Sequence, residues 1–307
     1  MRFKYNTKVF NVENGKVVNW LLFILLSIIW GSSFVLMKEG LLHLNPFEVA
    51  SIRIFSSGLV LLPVALYNFK KLPTSKLGYV LLSGLFGSLI PAYLFCIAEQ
   101  DIDSSLAGVL NALTPIFVII TGALFFQSKA SSLKLLGIFI AFTGSVLLFF
   151  SQPNFAHNSN AGSVLLVVLA TLLYGINVNM VYRHLSTIPS LHIAAIGLSL
   201  SAVPALLVLL LTGYFRLNFY DKGILVSTGY SSLLGVGGTA IATILFYMLL
   251  KRAGSVFASM VTYAIPVVAI GWGILYGEKV GLIQAACMII ILTGVFVANQ
   301  KSRRSGV

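Results

Sequence analysis

The chain has 307 residues, 58% of them hydrophobic and only 9% charged, with a formal net charge of +12. A mean hydropathy of +0.97 excludes a soluble globule, which needs far more polar residues to cover its surface. The two cysteines, Cys96 and Cys287, both lie in apolar runs and exclude a disulfide framework.

A bilayer crossing takes about 20 apolar residues, and roughly ten such runs follow one another here. After an N-terminal segment, residues 1–16, the predicted helices are Val17–Lys38, Pro46–Phe69, Lys76–Ala98, Ser104–Phe126 and Ser131–Phe150, which form a first half over 17–150. A linker over 151–161 leads to Gly162–Tyr182, Pro189–Gly213, Gly223–Leu250, Ser255–Tyr276 and Gly281–Asn299, a second half over 162–299, and then a basic tail over 300–307. The first run lacks an A-x-A-like cleavage site and exceeds the core of a signal peptide, so it reads as a retained span.

Charge sorts onto alternate links. One set holds Arg2, Lys4, Lys8, Lys16, Lys70, Lys71, Lys76, Lys129, Lys134, Arg183, Lys251, Arg252, Lys301, Arg303 and Arg304, with Glu13 as its only acid. The other holds Glu39, Glu48, Glu99, Asp101, Asp103, Asp221 and Glu278. Adding or deleting one crossing scrambles this order, so the positive-inside bias predicts an even number of crossings with both termini in the cytoplasm. The bases then face anionic headgroups, and the net charge reads as orientation, with no nucleic-acid partner.

The sequence also repeats itself at a displacement of about 150 residues. Gly84 and Gly235, Gly87 and Gly238, Phe95 and Phe246, and Pro115 and Pro266 fall in register, and Trp30-Gly31 returns as Tyr174-Gly175 at a slightly smaller displacement. An odd number of crossings in each copy turns the second upside down relative to the first. The predicted fold is therefore an all-α integral membrane protein of ten helices, built as two inverted five-helix repeats, the plan of many secondary transporters.

The stretches IIWGSSFVLMKEG (Ile28 to Gly40), NPFEVASIRIFSSGLVLLP (Asn45 to Pro63), SLAGVLNALTPIFVIITGALFF (Ser105 to Phe126) and YAIPVVAIGWGILYGEKVGLIQAACMIIILTGVFV (Tyr263 to Val297) resemble the drug/metabolite transporter superfamily, in particular its EamA-type members with ten spans. The resemblance covers nearly the whole chain. It implies a central cavity lined by the first, third, fourth, sixth, eighth and ninth spans, an exporting carrier, and a prokaryotic inner membrane. One position departs from the family pattern: the acid that often ends the fourth span is Gln127 here, whereas its counterpart Glu278 is kept.

The residues point to the same spans, because helix interruptions and midmembrane polar groups collect there. Candidate substrate contacts are Ser33, Asn111, Thr114, Asn177, Thr239, Thr243, Tyr93 and Tyr263, together with the midspan aromatic pair Trp30 and Tyr174, whose rings can stack a side chain or hold a cation. Arg53 and Lys38 are the basic groups within spans; either they snorkel outward to Glu39, Glu48 or phospholipid, or one of them receives a substrate carboxylate. Gly84 and Gly235 read as close-packing sites or as cavity wall, while Gly137, Gly144 and Gly294 are assigned to helix packing. No acid falls in the middle of any span and the closest titratable group is His192, which predicts a neutral or zwitterionic substrate with weak or no proton coupling.

An intramembrane enzyme would need clustered catalytic groups, yet His43, His157 and His184 are scattered over links and neither H-E-x-x-H nor G-x-S-x-G occurs. A lipid-intermediate flippase would share the fold but need a cavity open sideways to lipid. The leading expectation is a carrier of small polar metabolites such as amino acids. It works with a small-molecule substrate and the bilayer as partners and without cofactor or metal, in an oligomeric state that the sequence leaves open, a monomer included.

Overall fold

A computed structural model describes residues 7–102, 104–128, 130–151, 160–275 and 281–300. Arg2, Lys4, Asp103, Lys129, His157, Glu278, Lys301, Arg303 and Arg304, and most of the linker, lie outside the described residues.

Apolar surroundings offer the backbone no water, so each run satisfies its own N–H and C=O groups as helix. The rods are α1 (Thr7–Gly40), α2 (Pro46–Phe69), α3 (Thr74–Ala98), α4 (Ser104–Asn111, then Thr114–Phe126), α5 (Ser132–Phe150), α6 (Ala161–His184), α7 (Ser190–Leu211), α8 (Lys222–Ala253), α9 (Ser255–Ser259, then Val261–Leu275) and α10 (Leu282–Asn299). Among the described residues nine of them, all but α9, are long and apolar enough to cross a membrane.

Acids at one end of the bundle have structural work. Asn45 and Glu48 form a reciprocal capping box on α2, each side chain accepting from the other's backbone N–H at 3.0 Å. Asp221 caps α8 through Gly223 N–H at 2.7 Å, and Asp101 accepts from Ser163 Oγ at 2.7 Å, tying the end of α3 to the start of α6. At the opposite end the Lys251 ammonium donates to Ile188 O and the Arg252 guanidinium to Asn19 Oδ1.

The interruptions take definite forms. In α4 the helix stops after Asn111 and restarts at Thr114 with Pro115 in its first turn, where a missing N–H costs nothing. α9 turns at Met260. α3 and α8 each widen into a π turn, over Leu85–Leu89 and Leu234–Ile241, at matching places in the two repeats. Such wide turns gather at functional sites.

Packing between the halves is crosswise and symmetric. In α1, Trp30 Nε1 donates to Gly238 O of α8 at 3.0 Å and Glu39 O accepts from Ser227 Oγ at 2.9 Å, so α1 and α8 run antiparallel. Their repeat mates α6 and α3 do the same, Asn177 lying on Gly87 and Ser163 on Asp101. A Cβ on Gly31 would stand 2.7 Å from Val268 of α9, and one on its mate Gly175 would stand 2.8 Å from Phe117 of α4. These four residues are two repeat pairs making one contact twice. α5 and α10, also mates, pack antiparallel along a seam of small residues: Gly137 faces Gly294 O and Ala298, and Gly144 faces Ile291. Lipid provides no hydrophobic drive between helices, so close backbone approach at such glycines holds the seam.

Candidate functional site

Between the halves lies a cavity with about 890 Å³ of empty space, counting its open part. Among the described residues α1, α2, α3, α4, α6, α8 and α9 line it, and none comes from α5, α7 or α10. The expected set of lining spans thus gains α2, through Arg53.

Of the twelve residues singled out in the sequence, nine meet here: Trp30, Ser33, Arg53, Asn111, Thr114, Tyr174, Asn177, Thr239 and Thr243. The remaining three are placed elsewhere. Lys38 is exposed at the end of α1. The Tyr93 hydroxyl is 2.6 Å from Ser51 Oγ. Tyr263 is fully buried and donates to Ile138 O at 3.3 Å, joining α9 to α5. His192 is also off the lining, and Gln127 is exposed in a left-handed turn that ends α4.

The π turns bring Gly87, Ser88, Gly238 and Thr239 to the cavity wall. One turn earlier, Gly84 and Gly235 are packing sites: a Cβ at Gly84 would overlap Gly197 O, and a Cβ at Gly235 would overlap Arg53 O and Ser56 Oγ. Both glycines let α3 and α8 close onto α7 and α2, Gly84 just before its π turn and Gly235 at the start of its own, and so aim the rest of each turn inward.

Two aromatic pairs stand at symmetric places on the wall. Trp30 lies 5.2 Å from Phe246, and Tyr174 lies 6.2 Å from Phe95. Each pair joins residues of opposite halves, and each member is the repeat mate of a member of the other pair. Phe34, Met37, Phe95, Phe246, Ser259 and Thr262 were not among the twelve; for Phe95 and Phe246 the signal was their in-register repetition.

The polar groups divide by role. Ser33 Oγ donates to Ile29 O at 2.8 Å, Ser259 Oγ to Val256 O at 2.8 Å and Thr262 Oγ1 to Ser259 O at 3.0 Å. Thr114 Oγ1 donates to Asn111 Oδ1 at 3.2 Å. Asn177, 3% exposed, donates to the Tyr247 hydroxyl at 3.3 Å and leaves its Oδ1 without a partner among the described residues. Arg53 Nε donates to Thr239 Oγ1 at 2.7 Å. Among the described residues its guanidinium is the sole charged group on the lining, with no acid and no histidine beside it. Among the described residues no three His, Cys, Asp or Glu side chains converge as metal ligands.

A sequence model of the EamA-like transporter family matches residues 19–150 and, a second time, residues 161–300. The chain belongs to the EamA-like transporter family. It is a multi-pass membrane transporter of two repeats rather than an enzyme, and as an EamA-like protein it takes a small-molecule substrate within the bilayer. Among its relatives is an uncharacterized transporter of Archaeoglobus fulgidus, 28% identical over 283 residues, spanning 92% of this chain and 99% of that protein. The uncharacterized inner membrane transporter YedA of Escherichia coli K12 is 27% identical over 280 residues, 89% of this chain and 88% of YedA. A Salmonella typhimurium protein named probable amino-acid metabolite efflux pump is 26% identical over 283 residues, 89% of this chain and 92% of its own length. A solved crystal structure shares the fold with a TM-score of 0.69 at 17% identity, covering 91% of this chain and 95% of the other.

Proposed function

We propose that this EamA-like protein is a secondary transporter of small polar metabolites, amino acids or related zwitterionic compounds, which it exports across the cell inner membrane by alternating access. The observation that carries this reading is the cavity itself, a polar and aromatic space whose walls come from both repeats in symmetric pairs. In this reading the chain crosses ten times, the broken helix α9 included, which puts both termini in the cytoplasm and the second half upside down relative to the first. Antiparallel packing of the mates α5 and α10 supports that inversion. Halves of one fold and opposite sense exchange shapes when they rock, which closes one mouth of the cavity as the other opens.

Substrate contacts in this reading are the nine lining residues, with the aromatic pairs holding the apolar part of the solute and the hydroxyl and amide groups its polar part. The relative named as an amino-acid metabolite efflux pump supports the substrate class and the direction. Export is tested by comparing cells with and without the protein for metabolites accumulating in the medium. The reading predicts that one or a few amino-acid-like compounds rise outside the cells; a medium unchanged across the metabolite panel contradicts it. In reconstituted vesicles, label trapped inside marks a carrier, whereas headgroups moving between leaflets mark a flippase.

A further inference from the structure

The two halves differ most in chemistry where their backbones agree. At Gly84 the neighbour that excludes a Cβ is Gly197 O, and at its mate Gly235 the neighbour is Arg53 O. Positions 53 and 197 correspond at the displacement that pairs Trp30 with Tyr174. Both crossings are thus made by a backbone carbonyl, and at position 197 the contact needs no side chain at all. The Arg53 side chain is therefore surplus to the packing that its backbone provides.

A surplus guanidinium within a span is costly unless it is solvated or paired. Arg53 has one hydrogen bond, from Nε to Thr239 Oγ1 at 2.7 Å, and no carboxylate partner among the described residues. Glu48, the acid closest along α2, accepts the Asn45 N–H of the capping box. The two Nη groups keep their donors for the cavity. The neighbouring hydroxyls of Ser33, Ser259 and Thr262 donate to carbonyls of their own helices, so they turn lone pairs, and no donor, to a ligand. Neutral donors remain on the wall, the Asn111 amide and the Tyr174 hydroxyl among them, but among the described residues the positive charge sits on one group, a planar fork that matches a carboxylate bidentately.

We infer that Arg53 is a carboxylate anchor and that the transported species is a carboxylate, either a monoanion or a zwitterion, to the exclusion of cations and carboxamides. This rests on the carrier reading, assigns recognition of the ionised carboxyl group of its zwitterionic solutes to Arg53, and extends the substrate class to monoanions. Lys38, the other basic candidate, is exposed off the cavity and takes no part.

The test uses the full-length protein in nanodiscs and reads its melting temperature against the common amino acids, their carboxamides, and aliphatic and aromatic monocarboxylates, each at millimolar concentration. At least one carboxylate is expected to raise the melting temperature while its amide does not. Arg53→Gln should weaken that response about tenfold or more, and Arg53→Lys should keep part of it as a point charge without the fork. Amides as effective as acids, an undiminished response in Arg53→Gln, or no carboxylate acting on the wild type overturns the inference. Thr239→Asp covers the case in which Arg53→Gln fails to fold. A carboxylate built beside the guanidinium should raise the ligand-free melting temperature and abolish the response to added acids; a melting temperature that falls instead, with the response intact, also overturns it. Vesicle transport indifferent to Arg53 would sink this anchor and leave the carrier, whereas acids bound through Arg53 but never moved would sink the carrier and leave the anchor.

Discussion

The seam between α5 and α10 and the crossings of α3 and α8 use the same device, glycine against backbone, to different ends. Along the seam Gly137 and Gly294 meet main chain and alanine side chains, Gly144 meets the backbone and side chain of Ile291, and none of the described residues there borders the cavity. At α3 and α8 a single glycine contact stands at the start of a π turn that opens the wall, and the side chains around it differ between halves. The comparison teaches that repeated contacts hold the scaffold, while chemistry sits where the repeat breaks, as it does at Arg53 and Gly197.

The largest effect should come from the seam. Gly144→Leu forces a side chain into Ile291 and should cost about 3 kcal/mol or more by overpacking, seen as a several-fold drop in membrane abundance on quantitative blots. Full abundance would mean that α5 and α10 separate without harm. Next comes the cavity: Asn111→Ala and Trp30→Ala should lower transport about tenfold at unchanged abundance, measured as initial rates normalised to inserted protein. Equal loss of protein in these and in Gly144→Leu would erase the distinction between seam and wall. A smaller effect belongs to the capping box, where Asn45→Ala should destabilise by about 1 kcal/mol in a denaturant titration and leave the transport rate per folded molecule intact. Smallest of all, Lys38→Ala should leave transport within the error of the assay, since its side chain is exposed and off the wall; a marked loss would extend the functional surface beyond the cavity.

The nine helices of membrane length among the described residues, and the repeat, were legible in the sequence because they rest on long apolar runs and on paired glycine and proline. The midspan aromatic Trp30 and its mate Tyr174 were also legible, since interfacial belts are the usual place for such rings. Less legible was which face of a helix turns inward. α9 is apolar almost all round, so nothing in its pattern separates Tyr263, which ties α9 to α5, from Thr262 one residue earlier, which borders the cavity. For Tyr93 the hidden partner was Ser51, on another helix and far along the chain. Glycine clusters announced interruptions in α3 and α8, yet glycine permits a kink, a close crossing or a π turn alike. Only packing against Gly197 and Arg53 selects the outcome.

The central claim, one cavity shared by two halves that expose it alternately, is tested most directly by trans-stimulated exchange. Vesicles containing the protein are preloaded with an unlabelled substrate, and the initial uptake of its labelled form is followed from outside. The account predicts uptake that saturates, accelerates with preloading and collapses in Asn111→Ala and Trp30→Ala. Uptake that ignores preloading and is untouched by both substitutions would contradict it.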